Sequence, residues 1–430
     1  MAPDLKLPTA DETRAWIVAR APAMLAAFDE ANRSEARGHA CSDRPGATSS
    51  DNAAYAGALL SSLVRGIPAV CVNPGWDEEQ RREAARVLSR GPEGCGASGD
   101  VLIPTGGTGG KIRFVRHDLA TLAAAVSGFS RYAGERLLRT GKPAVLHAVQ
   151  ALPCCHVSGL MPVVRAWLTG GEVVFADPSF RPDTPLPAMP RSDDGLGVVS
   201  LVAAQLHRLS ERPDGPAWLR TAGLVLVGGS AVAPELLDRA RRERIPVGVS
   251  YGLTEAAALV ALYPPERFLR GEPVAGDVLP HLAATITPEG RIALSGGSIA
   301  RDVREADGRF VTGDEGYLEA DGRLVVTGRA DRIVVTGGEK ADPQLVEAAI
   351  RSTGLVREIH VTGEPHPEWG RRLVAYYTGD VSPAVLKDAA SALLRGFMMP
   401  KSFVRSATPL FDEKGKVDRT RLRHTSDGDV

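Results

Sequence analysis

What this sequence lacks narrows its function first. No charge of one sign prevails: 51 Lys and Arg stand against 52 Asp and Glu, a formal net charge of -1. The chain therefore carries no broad electrostatic footprint for a nucleic acid or an anionic membrane. Long hydrophobic runs are missing as well. No stretch reaches the roughly 18 to 20 apolar residues that a membrane span needs, and residues 1–20 hold no apolar run between a basic segment and a small-residue cleavage site. Cysteine is scarce, and Cys41, Cys71, Cys95, Cys154 and Cys155 are odd in number with no C-x-x-C spacing among them. That pattern argues against a zinc site or a redox dithiol and fits a reducing compartment. Cys154 and Cys155 read as small buried hydrophobes. Internal repeats and low-complexity tracts are absent too. The expectation is a soluble, untargeted cytoplasmic protein with no nucleic-acid partner and no membrane span. Its oligomeric state is not legible, a homodimer being one open option.

What is present is enough chain, 430 residues, for a large domain and a smaller one. Helical periodicity alternates with short apolar runs, as in 53–63, then 69–72, then the charged segment 78–88. This alternation predicts an α/β fold with mainly parallel strands. Runs 144–149, 172–176, 198–202 and 224–227 are short, apolar and flanked by Gly, Pro or Asp, and read as buried strands of a layered sheet. Segment 178–194, rich in Pro and Asp, reads as a surface connection. From residue 291 the texture changes to short runs at 291–294, 310–312, 317–319 and 323–327, separated by Gly and Asp turns. They predict hairpins of a small β-rich subdomain. Beyond 330 come a strand, a helix over 343–352, strands near 358–362 and 372–377 and a helix over 383–394, an α+β unit of about 100 residues. We expect an N-terminal domain over 1–330, multi-subdomain with layered sheets, and a smaller, mobile C-terminal cap over 331–430.

The strongest local signal is the glycine-rich run Thr105, Gly106, Gly107, Thr108, Gly109, Gly110, Lys111, which follows a strand from Val101 and precedes a polar segment leading to a helix near 119–129. Glycine lets backbone N–H groups approach an anion, and Thr hydroxyls add donors, so the run can cradle polyphosphate. It is not a Walker loop, because Thr105 stands five before Gly110 and Ile112 follows Lys111. Nor is it G-x-G-x-x-G, since Ile112 stands where the third glycine belongs. By itself the run is equally compatible with a structural turn.

Four further strings change that balance: Leu152 to Leu160 with His156 at its centre, Gly228-Gly229-Ser230-Ala231, Tyr251-Gly252-Leu253-Thr254-Glu255, and Pro409 to Arg419 with Lys416 near its end. With the loop, and in this order, they resemble the acyl-adenylate-forming superfamily of acyl-CoA synthetases, adenylation domains and luciferases over about residues 55–421. The phosphate loop departs from the family pattern: Gly106 and Gly109 replace hydroxyl or small residues, Ile112 replaces Pro and Arg113 replaces Lys. A guanidinium meets phosphate in a geometry different from an ammonium.

The resemblance implies roles residue by residue. Residues 105–111 with Arg113 would hold the β- and γ-phosphates of ATP. His156, Ser158, Gly159, Leu160 and Gly229 would line the acyl pocket. Gly228, Gly229 and Ser230 would lie along adenine and the acyl group, with Gly252 beside Tyr251. Tyr251 would stack on adenine, Thr254 contact the α-phosphate and Glu255 hold Mg²⁺, an ion that favours a carboxylate plus phosphate oxygens. Asp314, in Thr312-Gly313-Asp314, would bind ribose, with Arg329 a second ribose or phosphate contact. Asp331 would be the hinge, Gly337-Gly338-Glu339 the loop presented to coenzyme A, and Lys416 the catalytic lysine. Lys414 reads as a solvated neighbour. One further departure is Leu345, where the family carries Glu; Glu347 retains the second acid.

The implied chemistry is attack of a carboxylate on the α-phosphorus of MgATP, then transfer of the acyl group from AMP to coenzyme A after the cap rotates. Within the superfamily, Val72-Asn73-Pro74-Gly75-Trp76, the 104–108 loop with Arg113-Phe114, and 156–160 are most similar to the acid–CoA ligases that act on 2-succinylbenzoate in menaquinone and phylloquinone synthesis. Such an acid has a second carboxylate and calls for a cation or several donors in the acyl pocket, a group the sequence alone does not reveal. Two rivals stay open: a stand-alone adenylation enzyme serving a carrier protein, and a non-catalytic nucleotide-binding relative.

Overall fold

The structure is a computed structural model that describes residues 7–33, 49–73, 76, 78–88, 99–106, 112–229, 232, 234–329, 334–336, 339–366, 370–411 and 417. It divides into two compact units. One comprises Met1–Thr287, Ile292–Thr312 and Tyr317–Val325, and the other Pro288–Arg291, Gly313–Gly316 and Val326–Val430.

The first unit is built on a seven-stranded sheet in the order Asp277–Val278, Ala258–Tyr263, Val247–Leu253, Leu224–Val227, Gly195–Leu201, Val145–Gln150, Val173–Phe175. The last five pair in parallel, and the first two close one edge antiparallel. Burial explains the composition of the parallel strands. Val225 and Val227 pack into one cluster with Val149, Val199 and Val247, while Leu224 and Leu226 pack into another with Leu146, Leu196 and Phe129. Alternate residues of one strand thus face opposite cores, and a sheet covered on both faces has no place for a polar side.

A three-stranded sheet carries Ala69–Val70 parallel to Asp100–Gly106, which pairs antiparallel with Ile112–Asp118. Here the structure adds to the sequence reading. The polar segment after the glycine-rich run is a strand in register with its partner over seven residue pairs. Ile112, Val115 and His117 point inward while Arg113 is exposed, so the charged positions hide a half-buried strand. Its end is marked by Asp118, which caps the following helix Leu119–Tyr132 by accepting from Thr121 N at 2.8 Å.

A four-stranded sheet runs Leu282–Ile286, Arg291–Gly296, Phe310–Leu318, Leu324–Arg329. The two short runs expected at 310–312 and 317–319 are one nine-residue strand, Phe310–Leu318. Gly313 and Gly316 do not interrupt it.

The second unit holds the sheet Glu358–His366, Gly370–Thr378, Ser402–Arg405, antiparallel then parallel, with helices Pro343–Arg351 and Pro383–Ser391. Val346, Ile350, Val361, Leu373, Tyr377, Leu386 and Phe403 share its core. Asp342 caps the first helix by accepting from Gln344 N at 2.8 Å, with Pro343 at the first helical position.

Candidate active site

Three of the singled-out segments leave the large sheet at the same edge. Gly228-Gly229 follows Leu224–Val227, residues 151–156 follow Val145–Gln150, and Tyr251 to Glu255 spans the end of Val247–Leu253 and the turn Thr254–Ala256. These strands are parallel, so the segments share their carboxyl ends, where open α/β sheets gather ligands.

A fourth segment is tied to this edge by a residue that sequence reasoning passed over. His117, 1% exposed, makes a 2.7 Å hydrogen bond from Nε2 to the carbonyl of Thr254, and its Nδ1 lies 3.1 Å from Thr121 Oγ1. A carbonyl only accepts, so Nε2 carries the proton and Nδ1 accepts from the hydroxyl. Burial holds the ring pKa below the usual histidine value, which keeps this neutral tautomer. The strand that carries His117 is the one that leaves the glycine-rich run, so Thr105 and Arg113, cross-strand partners in that hairpin, belong to the same construction as Thr254. The signal was weak: one histidine in a charged segment.

Close backbone approach links the remaining pieces. An added Cβ at Gly228 would lie 2.1 Å from Ser250 Oγ and 2.8 Å from its carbonyl, and one at Gly252 would lie 2.2 Å from Ala258 O. Gly228 is thereby pressed against the residue before Tyr251. Gly229, at φ +81°, is the opposite case: no atom of the described residues lies within 4 Å of its Cβ direction, so a planar group can pack against its backbone there. After Glu255, whose carbonyl accepts from Ala300 N at 2.8 Å, Ala257 and Ala258 both take positive φ, 54° and 79°. Such strain in non-glycine residues marks a turn held by its surroundings.

His156 is the N-cap residue of helix Val157–Thr169. Buried Gln150 fixes the approach, donating to Leu152 O at 2.9 Å and Gly159 O at 2.5 Å, and Cys154 N donates to Asn52 Oδ1 at 3.1 Å. Gly159 is required here, since a Cβ would lie 2.2 Å from Pro153 O. Ser158 is exposed, whereas Leu160 is fully buried in the core beside Cys154 and Cys155. Cys71, Cys154 and Cys155 are buried and in no disulfide, and burial pushes the thiols of Cys71 and Cys154 up to about 12, so these two are inert hydrophobes at neutral pH.

Two turns and more along the same helix stands Arg165, 5% exposed, its guanidinium carbon 4.9 Å above the Phe129 ring. Its Nε has no hydrogen-bond partner, and no carboxylate among the described residues pairs with it. Burial lowers its pKa to about 10, which still leaves a cation at neutral pH. A buried, uncompensated charge is costly, so a site for an anion is the arrangement it fits. The sequence held a signal that went unused: a single charge in the apolar helix Val157–Thr169.

In the second unit, Asp314 is 4% exposed and pairs with Arg329 at 3.3 Å. A Cβ on Gly313 would lie 2.9 Å from Arg329 Nη2, so the glycine makes room for the guanidinium. Glu347 accepts from Val361 N at 2.7 Å, a structural brace, while Leu345 is exposed. The closing segment is anchored where Leu410 N donates to Glu358 at 2.7 Å and Phe411 bridges Val417. Gly107, Thr108, Gly109, Gly110, Lys111, Ser230, Asp331, Gly337, Gly338, Lys414 and Lys416 lie outside the described residues, as does the side chain of Glu339.

A parallel-rich sheet with its motifs at one edge, joined in sequence to an α+β unit, is the architecture of adenylate-forming enzymes. The AMP-binding enzyme family model matches residues 97–296, and the AMP-binding enzyme C-terminal domain model residues 345–412. A probable 2-succinylbenzoate–CoA ligase of Mycobacterium tuberculosis is 33% identical over 305 residues, 68% of this chain and 74% of that protein. The chain belongs to the AMP-binding enzyme family. A 2-succinylbenzoate–CoA ligase of Listeria monocytogenes is 28% identical over 284 residues, 64% of this chain, and the chain spans only 60% of that relative's length. Among solved structures, o-succinylbenzoate CoA synthetase (MenE) from Bacillus subtilis with the acyl-adenylate OSB-AMP aligns at a TM-score of 0.73 and 21% identity, covering 98% of this chain and 94% of that one. The same protein with ATP and magnesium ion gives 0.68 at 21%, covering 86% and 87%. At these identities the structures speak for the fold.

Proposed function

We propose that this protein is an AMP-forming acid–CoA ligase that activates a small carboxylic acid with ATP and passes the acyl group to coenzyme A, with 2-succinylbenzoate as the acid. The observation that carries the reaction class is the hydrogen bond from His117 to Thr254, which joins the phosphate-loop hairpin to the Tyr251–Glu255 turn at the carboxyl edge of the sheet. The names of the relatives support the choice of acid, and Arg165 supports it chemically, as a buried cation suited to a carboxylate that does not react.

In the first step a carboxylate oxygen of the acid forms a bond to the α-phosphorus of ATP, the bond from that phosphorus to the bridging oxygen breaks, and pyrophosphate leaves. Catalysis is positioning and charge stabilisation, since little covalent work falls to the protein. Tyr251 packs on adenine, Gly229 leaves room beside it, Thr254 donates to the α-phosphate, and Asp314 takes the ribose hydroxyls. Glu255 would hold Mg²⁺, an ion that when bound would neutralise triphosphate charge. Lys416 bridges carboxylate and phosphate as charge shifts. In the second step the thiol of coenzyme A gives up its proton to solvent, its sulfur bonds to the acyl carbon, the carbon–oxygen bond to AMP breaks, and AMP leaves, with Gly337, Gly338 and Glu339 as the loop presented to coenzyme A and Asp331 as the hinge.

The test is pyrophosphate release over a panel of carboxylic acids, 2-succinylbenzoate first, with and without coenzyme A. The expected result is release that depends on 2-succinylbenzoate, with AMP freed only when coenzyme A is added. AMP release that needs a carrier protein instead would transfer the reading to the stand-alone adenylation class, and no acid-dependent release at all would overturn it.

A further inference from the structure

Strand Ile112–Asp118 is the outer strand of its three-stranded sheet, so alternate N–H groups along it have no ladder partner and would ordinarily meet water. At Arg116 that N–H donates instead to the carboxylate of Asp302, 3.2 Å from each oxygen and 186 positions along the chain. Two residues on, Asp118 divides its carboxylate. Oδ1 accepts from Thr121 N at the start of the following helix, and Oδ2 pairs with Arg301. Ala300, the residue before, donates its N–H to the carbonyl of Glu255 at 2.8 Å. Residues 300–302 therefore grip the Thr254–Ala256 turn on one side and both neighbours of His117 on the other. His117 itself makes the inner link of the same joint through its bond to the Thr254 carbonyl.

The segment that carries these groups is firmly seated. Ile299 and Ala300 are fully buried, and Ile299 shares a core with Ala256 of the turn and with Val260. Arg304 closes the segment, donating to the Ile299 carbonyl from Nε at 3.1 Å and from Nη2 at 2.6 Å. Arg301 and Asp302 are exposed, and exposed contacts of this kind add little to global stability. A single hydrogen bond from His117 would leave the hairpin free to swing about it. Grips on both flanking residues remove that freedom.

We infer that Asp302 is a positioning residue for the adenylation step. Acting through the Arg116 N–H, with Arg301 in support on Asp118, it holds the phosphate-loop hairpin against the turn and fixes where Thr254 and Glu255 stand relative to the loop. Such preorganisation keeps a reacting geometry at no cost during the reaction. The inference rests on the ligase reading above and deepens it.

The experiment compares the full chain with Asp302→Ala, which removes both acceptor oxygens, and Asp302→Asn, which keeps one. The first readout is hydrogen exchange followed by mass spectrometry. Faster exchange at Arg116 in Asp302→Ala is trivial, because its own acceptor is gone; the informative segment is 254–257, to which Asp302 makes no hydrogen bond. Exchange there should quicken roughly fivefold in Asp302→Ala and return toward the unaltered rate in Asp302→Asn. The second readout separates the half-reactions. In Asp302→Ala the KM for MgATP in pyrophosphate release should rise roughly fivefold, while synthetic acyl-AMP reacts with coenzyme A at the unaltered rate. Combined with His117→Leu, the rise in KM should be less than the product of the two single rises, since both residues hold one joint. Unchanged exchange at 254–257 in Asp302→Ala, or equal loss of both half-reactions, would overturn the inference. Should Asp302→Ala not fold, Arg301→Ala is read in its place, with the same expected direction at 254–257. If the unaltered protein releases pyrophosphate with no acid, the ligase reading fails, and exchange at 254–257 still decides for or against the joint.

Discussion

At the scale of single residues, the site is organised by side chains that are present without partners and by side chains that are missing. Arg165 is the first kind. Its charge is buried against Phe129 with no carboxylate among the described residues, so Arg165→Met removes a desolvation cost while filling similar space. We expect a thermal midpoint equal to or above that of the unaltered protein together with a KM for 2-succinylbenzoate raised at least about tenfold. A lowered midpoint with unchanged KM would make the arginine structural. Gly228 is the second kind. Gly228→Ala would set a methyl group 2.1 Å from Ser250 Oγ. The strand before Tyr251 must then shift, destabilising by about 1–3 kcal/mol and weakening ATP binding, as denaturant unfolding and nucleotide titration would register. Lys416 belongs with these as the proposed transition-state cation. Lys416→Ala should slow adenylation by about two to three orders of magnitude while synthetic acyl-AMP still reacts with coenzyme A; equal loss of both steps would refute that assignment.

At the scale of elements, the junction between the Asp100–Gly106/Ile112–Asp118 hairpin and the Thr254–Ala256 turn sets the geometry. His117 is a side-chain clamp across it, with partners at both ring nitrogens. His117→Leu leaves the part-buried Thr254 carbonyl with only the Ala257 N donor among the described residues, a loss of about 1 kcal/mol. Because the turn also presents Thr254 and Glu255, kcat for pyrophosphate release should fall further than global stability alone explains, which single-turnover kinetics on folded protein would measure. The hairpin also shows why a strand escaped notice. Ile112–Asp118 buries only Ile112, Val115 and His117 and carries Arg113, Arg116 and Asp118 between and after them, so its composition shows no strand period until its partner strand is present. The strand Leu224–Val227, buried on both faces, needed no partner to be legible.

At the scale of the whole molecule, burial holds three histidines of the first unit, His117, His147 and His281, below the usual histidine value, and this links stability to pH. His117 is lowered by burial, and His281 falls from 6.5 to about 4 by burial and nearby arginines. His281 is only partly buried as a residue, but its two ring nitrogens are out of contact with solvent, and those are the atoms that titrate. Between about pH 6.5 and 4 the unfolded chain binds protons that the folded one refuses, so stability rises with pH across this window and is fully present above it. His281 accounts for up to about 3 kcal/mol of that change. The urea midpoint should fall on acidification from about pH 6.5 to 4, and His281→Gln should flatten the fall; an identical slope in the variant would show that the ring is solvated. Among the described residues, no helix is long and apolar enough to cross a membrane.

The sequence alone determined the parallel α/β body, the later α+β unit and the membership of motif strings such as Tyr251–Glu255 and Gly228-Gly229, because apolar periodicity and glycine spacing are local properties of a chain. Helix Pro343–Arg351 and strand Leu224–Val227 lie where periodicity put them, to within a residue. Tertiary structure decided what depends on neighbours distant in the chain: that Phe310–Leu318 is one strand, that His117 holds Thr254 from 137 positions away, and that Arg165 is buried with no carboxylate paired to it among the described residues. A hydrogen bond, a missing counter-charge or the space left by a glycine is a relation between segments, and no single segment carries it.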